Sequence, residues 1–193
     1  MKSMNVTLDM ITPGLCGGAD PASQAEIRPP SIRGQLRWWF RTLGGFVSLL
    51  PLDVRGQEEK IFGSIAGDTG RAGSLQVRVR LITESKPVKK DLDKLSIRLN
   101  SPSGYLLFPL RSTKNRKTGA DDYKGRMLFH SNILPSFDLH VSWRDDDIAE
   151  DDITALVTVF SSLGALGSRS RRGFGALAFP PNAQPPMTLG DSL

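Results

Sequence analysis

The sequence predicts an α+β fold in which an antiparallel sheet carries its helices on one face. Three observations predict it. Residues 75–83 and 137–143 alternate apolar and polar side chains with a period of two, as half-buried strands do. Residues 31–50 and 151–163 space their apolar side chains at helical intervals instead. With shorter apolar segments at 5–11 and 174–179, the order becomes strand, helix, strand, strand, helix, strand, which is the ferredoxin-like order. Strands that are apolar on one face only fit a sheet covered by helices on that face.

The first strand places Val6, Leu8 and Met10 on one face and Thr7, Asp9 and Ile11 on the other. Residues 12–30 are rich in proline and glycine and form a long loop. The first helix is expected from Ser31 to Leu50, with Ser31 as its N-cap, because a hydroxyl there can accept a bond from a free first-turn amide. Its apolar stripe is Ile32, Leu36, Trp39, Phe40, Leu43, Val47 and Leu50, and Gly44-Gly45 should weaken it. A short helical turn is expected at 58–63 and a flexible connection at 67–73. The second strand points Leu75, Val77, Val79 and Leu81 inward, and Gln76, Arg78 and Arg80 outward.

Residues 105–110 and 126–131 are short apolar pieces. The polar stretch 111–126 between them cannot bury enough surface to fold on itself, and reads as a mobile hairpin tip or loop. The third strand buries Phe137, Leu139, Val141 and Trp143, and the second helix buries Ile153, Leu156, Val157, Phe160 and Leu163. The acids at 145–152 crowd the start of that helix, where the dipole favours negative charge, so no metal is needed to explain them. Gly164 caps its end. One domain is expected over residues 1–179, followed by a proline-rich, irregular tail at 180–193.

The formal charge is +5 and the sequence pI is 9.6. The excess is uneven, gathering in the first helix, in 111–126 and in 169–172, which says more about an anionic partner than the total does. A uniformly solvated basic surface is the competing reading. Cys16 is the only cysteine, which excludes an intrachain disulfide and a thiolate zinc cluster. The first ten residues lack the apolar run of a signal peptide, and no apolar run is long enough to span a bilayer. A cytoplasmic protein with no membrane partner is expected.

Two stretches carry the chemistry. Arg33, Arg37 and Arg41 recur every four residues along the first helix, and like charges at that spacing repel, so a negatively charged partner is expected to relieve them. Near the end, GALGSRSRRGFGAL (164–177) sets Ser168, Arg169, Ser170, Arg171 and Arg172 among Gly167, Gly173 and Gly175. Such glycines let a backbone approach a phosphate closely, and successive amides in such turns make anion-binding concavities. The loop lacks the Gly-Lys-Ser/Thr ending of a Walker A loop. A solvent-exposed basic turn is the alternative.

These stretches also carry a resemblance. IRPPSIRGQLRWWFR (27–41), the Gly17-Gly18-Ala19 loop before it and the arginine–glycine loop at 164–177 resemble the RAMP superfamily of CRISPR-associated proteins. The nearest likeness is to the family of the first-numbered subunit of the type III-B Cmr effector complex. That family is usually longer, with two related domains, so the chain looks like a short, single-domain form. The resemblance implies the RRM-like ferredoxin fold of RAMP proteins. It implies a non-catalytic subunit of an RNA-guided antiviral complex, with guide crRNA, target RNA and other RAMP/Cmr subunits as partners and no cofactor. The implied RNA-binding residues are Arg28, Arg33, Arg37, Trp38, Arg41, Gly167, Ser168, Arg169, Ser170, Arg171, Arg172 and Gly173, with Trp38 placed to stack on a base. Trp39 is read as structural.

Two other readings stand beside it. One is an endoribonuclease of the same superfamily, acting on target or repeat RNA. Its candidates are Asp20, in the loop where related backbone subunits carry a cleaving aspartate, and a histidine, His130 or the outward-facing His140. The other is a structural assembly module whose basic patches meet acidic proteins. The aromatic signature of RNA-binding RRM strands is missing, so base stacking on the sheet face is not expected.

Overall fold

The computed structural model describes residues 1–19, 24–66, 69–83, 88–89, 113–114, 118, 121–122, 127–129, 134–144 and 146–192. In chain order the elements are β1 (Lys2–Met10), α1 (Pro29–Leu43), α2 (Val54–Phe62), β2 (Ser64–Ala66), β3 (Thr69–Arg71), β4 (Leu75–Leu81) and β5 (Val88–Lys89). They continue with β6 (Thr113–Lys114), β7 (Asp121–Asp122), β8 (Met127–Leu128), β9 (Ser136–Trp143), α3 (Glu150–Leu163) and β10 (Leu177–Ala178).

Four strands form the main antiparallel sheet in the order β10-β1-β9-β4. These are the fourth, first, third and second of the strands expected from sequence, so the ferredoxin-like arrangement is realised. The inward face of β1 and β9 is apolar, with Leu8, Phe137, Leu139, Val141 and Trp143 buried. Against it lie Ile32, Leu36 and Phe40 of α1 and Ile153, Leu156, Val157 and Phe160 of α3. Each such side chain is worth about 2 kcal/mol relative to leaving it in water.

Several boundaries differ from expectation, for local reasons. Helix α1 begins at Pro29 with Arg28 as N-cap, so Ser31 lies inside it and does not cap it. Proline at the first helical positions needs no amide partner and already holds a helical φ. The helix ends at Leu43, because Gly44 adopts a left-handed φ of 86° and turns the chain. Val47 and Leu50 therefore leave the stripe, 77 % and 67 % exposed.

The expected short turn at 58–63 is a full helix, α2, because the Asp53 carboxylate accepts a bond from the Gly56 amide at 2.8 Å and caps it. The expected flexible connection at 67–73 contains β3, which pairs with β2 just before it and whose central Gly70 conceals the alternation of a strand. The last strand shrinks to Leu177–Ala178, and Leu81 and Leu163 are exposed where each element runs past the core. In the polar segment, β6 pairs with β7 as a hairpin, while 105–110 lies outside the described residues.

Candidate nucleic-acid interface

The arginine–glycine loop stands on a fixed base. Helix α3 ends where the Gly164 amide donates to the Phe160 carbonyl at 2.8 Å. The backbone of Gly164 is extended and not left-handed; glycine is required there because a Cβ would lie 2.1 Å from that carbonyl oxygen. Beyond it, Leu166 donates to the Gly175 carbonyl at 2.8 Å, Ser168 to Leu15 at 3.0 Å and Gly175 to Pro13 at 2.8 Å. The stem is thus hydrogen-bonded to itself and to the first loop.

At the tip, Ser170–Arg172 forms one 3₁₀ turn between two left-handed residues, Arg169 (φ 66°) and Gly173 (φ 80°). Arg171 and Arg172 are exposed and Arg169 and Ser170 half-buried. Gly167 and Gly175 serve the protein's own packing, because a Cβ there would meet the Leu15 and Leu166 carbonyls. Gly173 has open space where its side chain would be.

Two clefts flank this loop. The first, of 380 Å³, lies between Leu15–Gly17, the start of α1 at Arg28, Ser31 and Gln35, and Leu166–Ser168. Glu26 lines it too, ion-paired with Arg28 at 3.3 Å. The second, of 480 Å³, opens on the other side of Gln35, between Gly34, Trp38 and Trp39 of α1 and Ala165, Ser170 and Arg171. Trp38 is 44 % exposed and meets Trp39 edge-on, with ring centroids 4.9 Å apart and planes at 80°. Trp39 packs against the core, so its neighbour is braced with an indole surface open to solvent. The first turn of α1 adds the positive end of its dipole and Arg28. The structure thus brings Arg28, Trp38 and residues 167–173 to one side of the molecule.

The helix-one arginine column is held differently. Arg33 donates to the carbonyls of Leu75 and, at 2.9 Å, of Phe62, and its guanidinium lies over the Phe62 ring, 5.6 Å from the centroid. Burial, and then the Arg37 charge, lower its pKa. Arg37 bonds to the Glu58 carboxylate, and Arg41 grips the same group with bonds of 2.6 and 2.5 Å. Hydrogen bonding from Arg41, and then from Arg37, depresses the Glu58 pKa although burial opposes it. The like-charge column is therefore met inside the protein, Arg33 by two carbonyls and Arg37 and Arg41 by an acid on α2. Glu58 stands beside Glu59 in a short charged segment, and neither falls on a pattern that points to α1.

Of the catalytic candidates, Asp20 and His130 lie outside the described residues. His140 lies on the open sheet face with Nδ1 2.7 Å from Asn5 Oδ1. Cys16 is buried, which pushes its thiol pKa up to about 12 and leaves it unreactive at neutral pH. Among the described residues no three His, Cys, Asp or Glu side chains converge as a metal site, and no helix is long and apolar enough to cross a membrane.

The fold is that of a known class. The RAMP superfamily model matches residues 7–178, and the chain belongs to that superfamily. It is 32 % identical over 184 residues to the CRISPR system Cmr subunit Cmr1-2 of Pyrococcus furiosus, covering 88 % of this chain and 91 % of that protein. Within the superfamily it therefore sits with the Cmr1 subunits. The crystal structure of apo Cmr1 from Pyrococcus furiosus superposes with a TM-score of 0.59 at 22 % identity, over 93 % of this chain and 49 % of that one. A chain of a type III-B Cmr-beta complex bound to cognate target RNA superposes with a TM-score of 0.50 at 12 % identity, over 92 % of this chain and 58 % of that one. The chain thus spans about half the length of these two solved structures.

Proposed function

We propose that the chain is a non-catalytic, RNA-binding subunit of a cytoplasmic type III-B CRISPR effector in antiviral defence. It holds guide crRNA, or the guide–target duplex, through phosphate contacts, and assembles with other RAMP/Cmr subunits. Sequence is read by base pairing and not by the protein. The observation that carries this reading is the facing of Trp38 and Arg171 across the 480 Å³ cleft, with the arginine tip raised on a hydrogen-bonded stem. An exposed aromatic beside guanidinium groups suits an RNA strand, whose phosphates bind the cations and whose bases stack. Arg33, Arg37 and Arg41 contribute by fixing the face of α1 that carries Trp38, and their outer edges extend the positive surface.

The test is incubation of the purified protein with labelled guide, target and repeat RNA, with and without magnesium. Intact RNA is expected, bound in a complex that Trp38→Ala weakens about tenfold, the worth of one base stacked on an aromatic ring. Cleavage abolished by Asp20→Ala or His130→Ala would overturn the non-catalytic reading. Assembly with partner subunits that survives digestion of the RNA would favour a structural module.

A further inference from the structure

We propose a second phosphate-binding site on the open face of the sheet, formed by Arg78, His140 and Asn5. It rests on the RNA-binding reading for its ligand, a phosphodiester of an RNA segment other than the one held by the arginine–glycine loop. The strand register builds it. Asn5 of β1, His140 of β9 and Arg78 of β4 are direct cross-strand partners and form one row across three strands. The next row, Thr7, Asp138 and Arg80, is satisfied within itself. The Thr7 hydroxyl donates to Asp138 Oδ1 at 2.8 Å, and Arg80 donates twice to Asp138 Oδ2, at 3.1 and 2.6 Å.

That pairing neutralises Arg80 and leaves Arg78 as the uncompensated cation of the face, with no bonded partner among the described residues. Asp9, the other acid on this face, stands two rows beyond His140 along β1 and β9. Asn5 Oδ1 can only accept, so the proton between the two side chains sits on His140 Nδ1, and the ring is held with Nε2 turned away from Asn5. A concavity of 580 Å³ lies over these side chains, lined by Asn5, Arg78, Val79, Arg80, Asp138 and His140. The Arg78 fork beside the Asn5 amide, whose Nδ2 hydrogens can donate while Oδ1 accepts from His140, suits an oxyanion. The helices cover the opposite face of the sheet, so this site and the loop engage different stretches of RNA.

Two measurements on the full chain test it. Inorganic phosphate, titrated while the histidine ring signals are followed by NMR, should shift His140 saturably in the wild type and not in Arg78→Ala. Signals assigned with His130→Gln that do not move would overturn the site whether or not the chain binds RNA. In guide-RNA titrations, Arg78→Ala should weaken binding about three- to tenfold and make the salt dependence shallower by about one contact, on top of the loss from loop variants. Unchanged affinity and slope in a folded Arg78→Ala protein would overturn the site. Failure of the wild type to bind RNA, with a positive phosphate titration, would sink the RNA reading and leave the anion site standing.

Discussion

Glu58 is the residue on which helix one depends. Its carboxylate takes up two guanidinium groups that would otherwise repel each other on α1, and it ties α1 to α2. Glu58→Ala should cost about 1–3 kcal/mol, the range for a lost charge-assisted hydrogen bond, read as a fall in melting temperature. The same contact sets a pH dependence. Because the folded-state pKa is depressed, the stabilisation is complete above the ordinary glutamate value of 4.5 and is lost as pH falls through the lower folded value. Melting temperature against pH should therefore fall less steeply below pH 4.5 in Glu58→Gln than in the wild type. Parallel curves would mean that the pair contributes nothing. Arg33, Arg37 and Arg41 were legible in the sequence as a group because their spacing is regular. The acid that pairs with Arg37 and Arg41 was not, since a contact between α1 and α2 leaves no periodic trace.

The arginine–glycine loop is an element whose glycines do different work, and substitution should rank them. Gly173→Ala meets open space and should cost only the left-handed backbone penalty, about 1–2 kcal/mol. Gly175→Ala adds that penalty to a Cβ 2.0 Å from the Leu166 carbonyl oxygen, so its loss should be distinctly larger. Arg169 already pays the left-handed penalty, so Arg169→Gly should leave the melting temperature unchanged or raise it. Equal losses for Gly173→Ala and Gly175→Ala would contradict the packing described here. Strand β9 and the core of α3 could be read from sequence because one face of each is uniformly apolar. The end of α1 could not, because the apolar spacing runs on through Val47 and Leu50 while Gly44 turns the chain away. Helix α2 was half hidden, because its cap comes from Asp53, ahead of its apolar residues.

At the scale of the whole molecule, the sheet, α1 and α3 are a scaffold that sets one arginine tip beside one braced tryptophan. Core damage should therefore act through stability: Leu36→Ala, at a fully buried position of α1, should cost about 2–5 kcal/mol with RNA affinity unchanged in the fraction that stays folded. The tip should behave in the opposite way. The most direct measurement is guide-RNA affinity against salt concentration for the wild type and for Arg169→Ala/Arg171→Ala/Arg172→Ala, with thermal melting of both. Exposed substitutions usually change stability by less than about 0.5 kcal/mol. The account predicts a folded variant that binds more weakly and whose log–log salt slope is shallower by about two, three phosphate contacts at roughly 0.7 each on a single strand. The loss should be equal for unrelated RNA sequences. A folded variant that binds at full strength with an unchanged slope would contradict it.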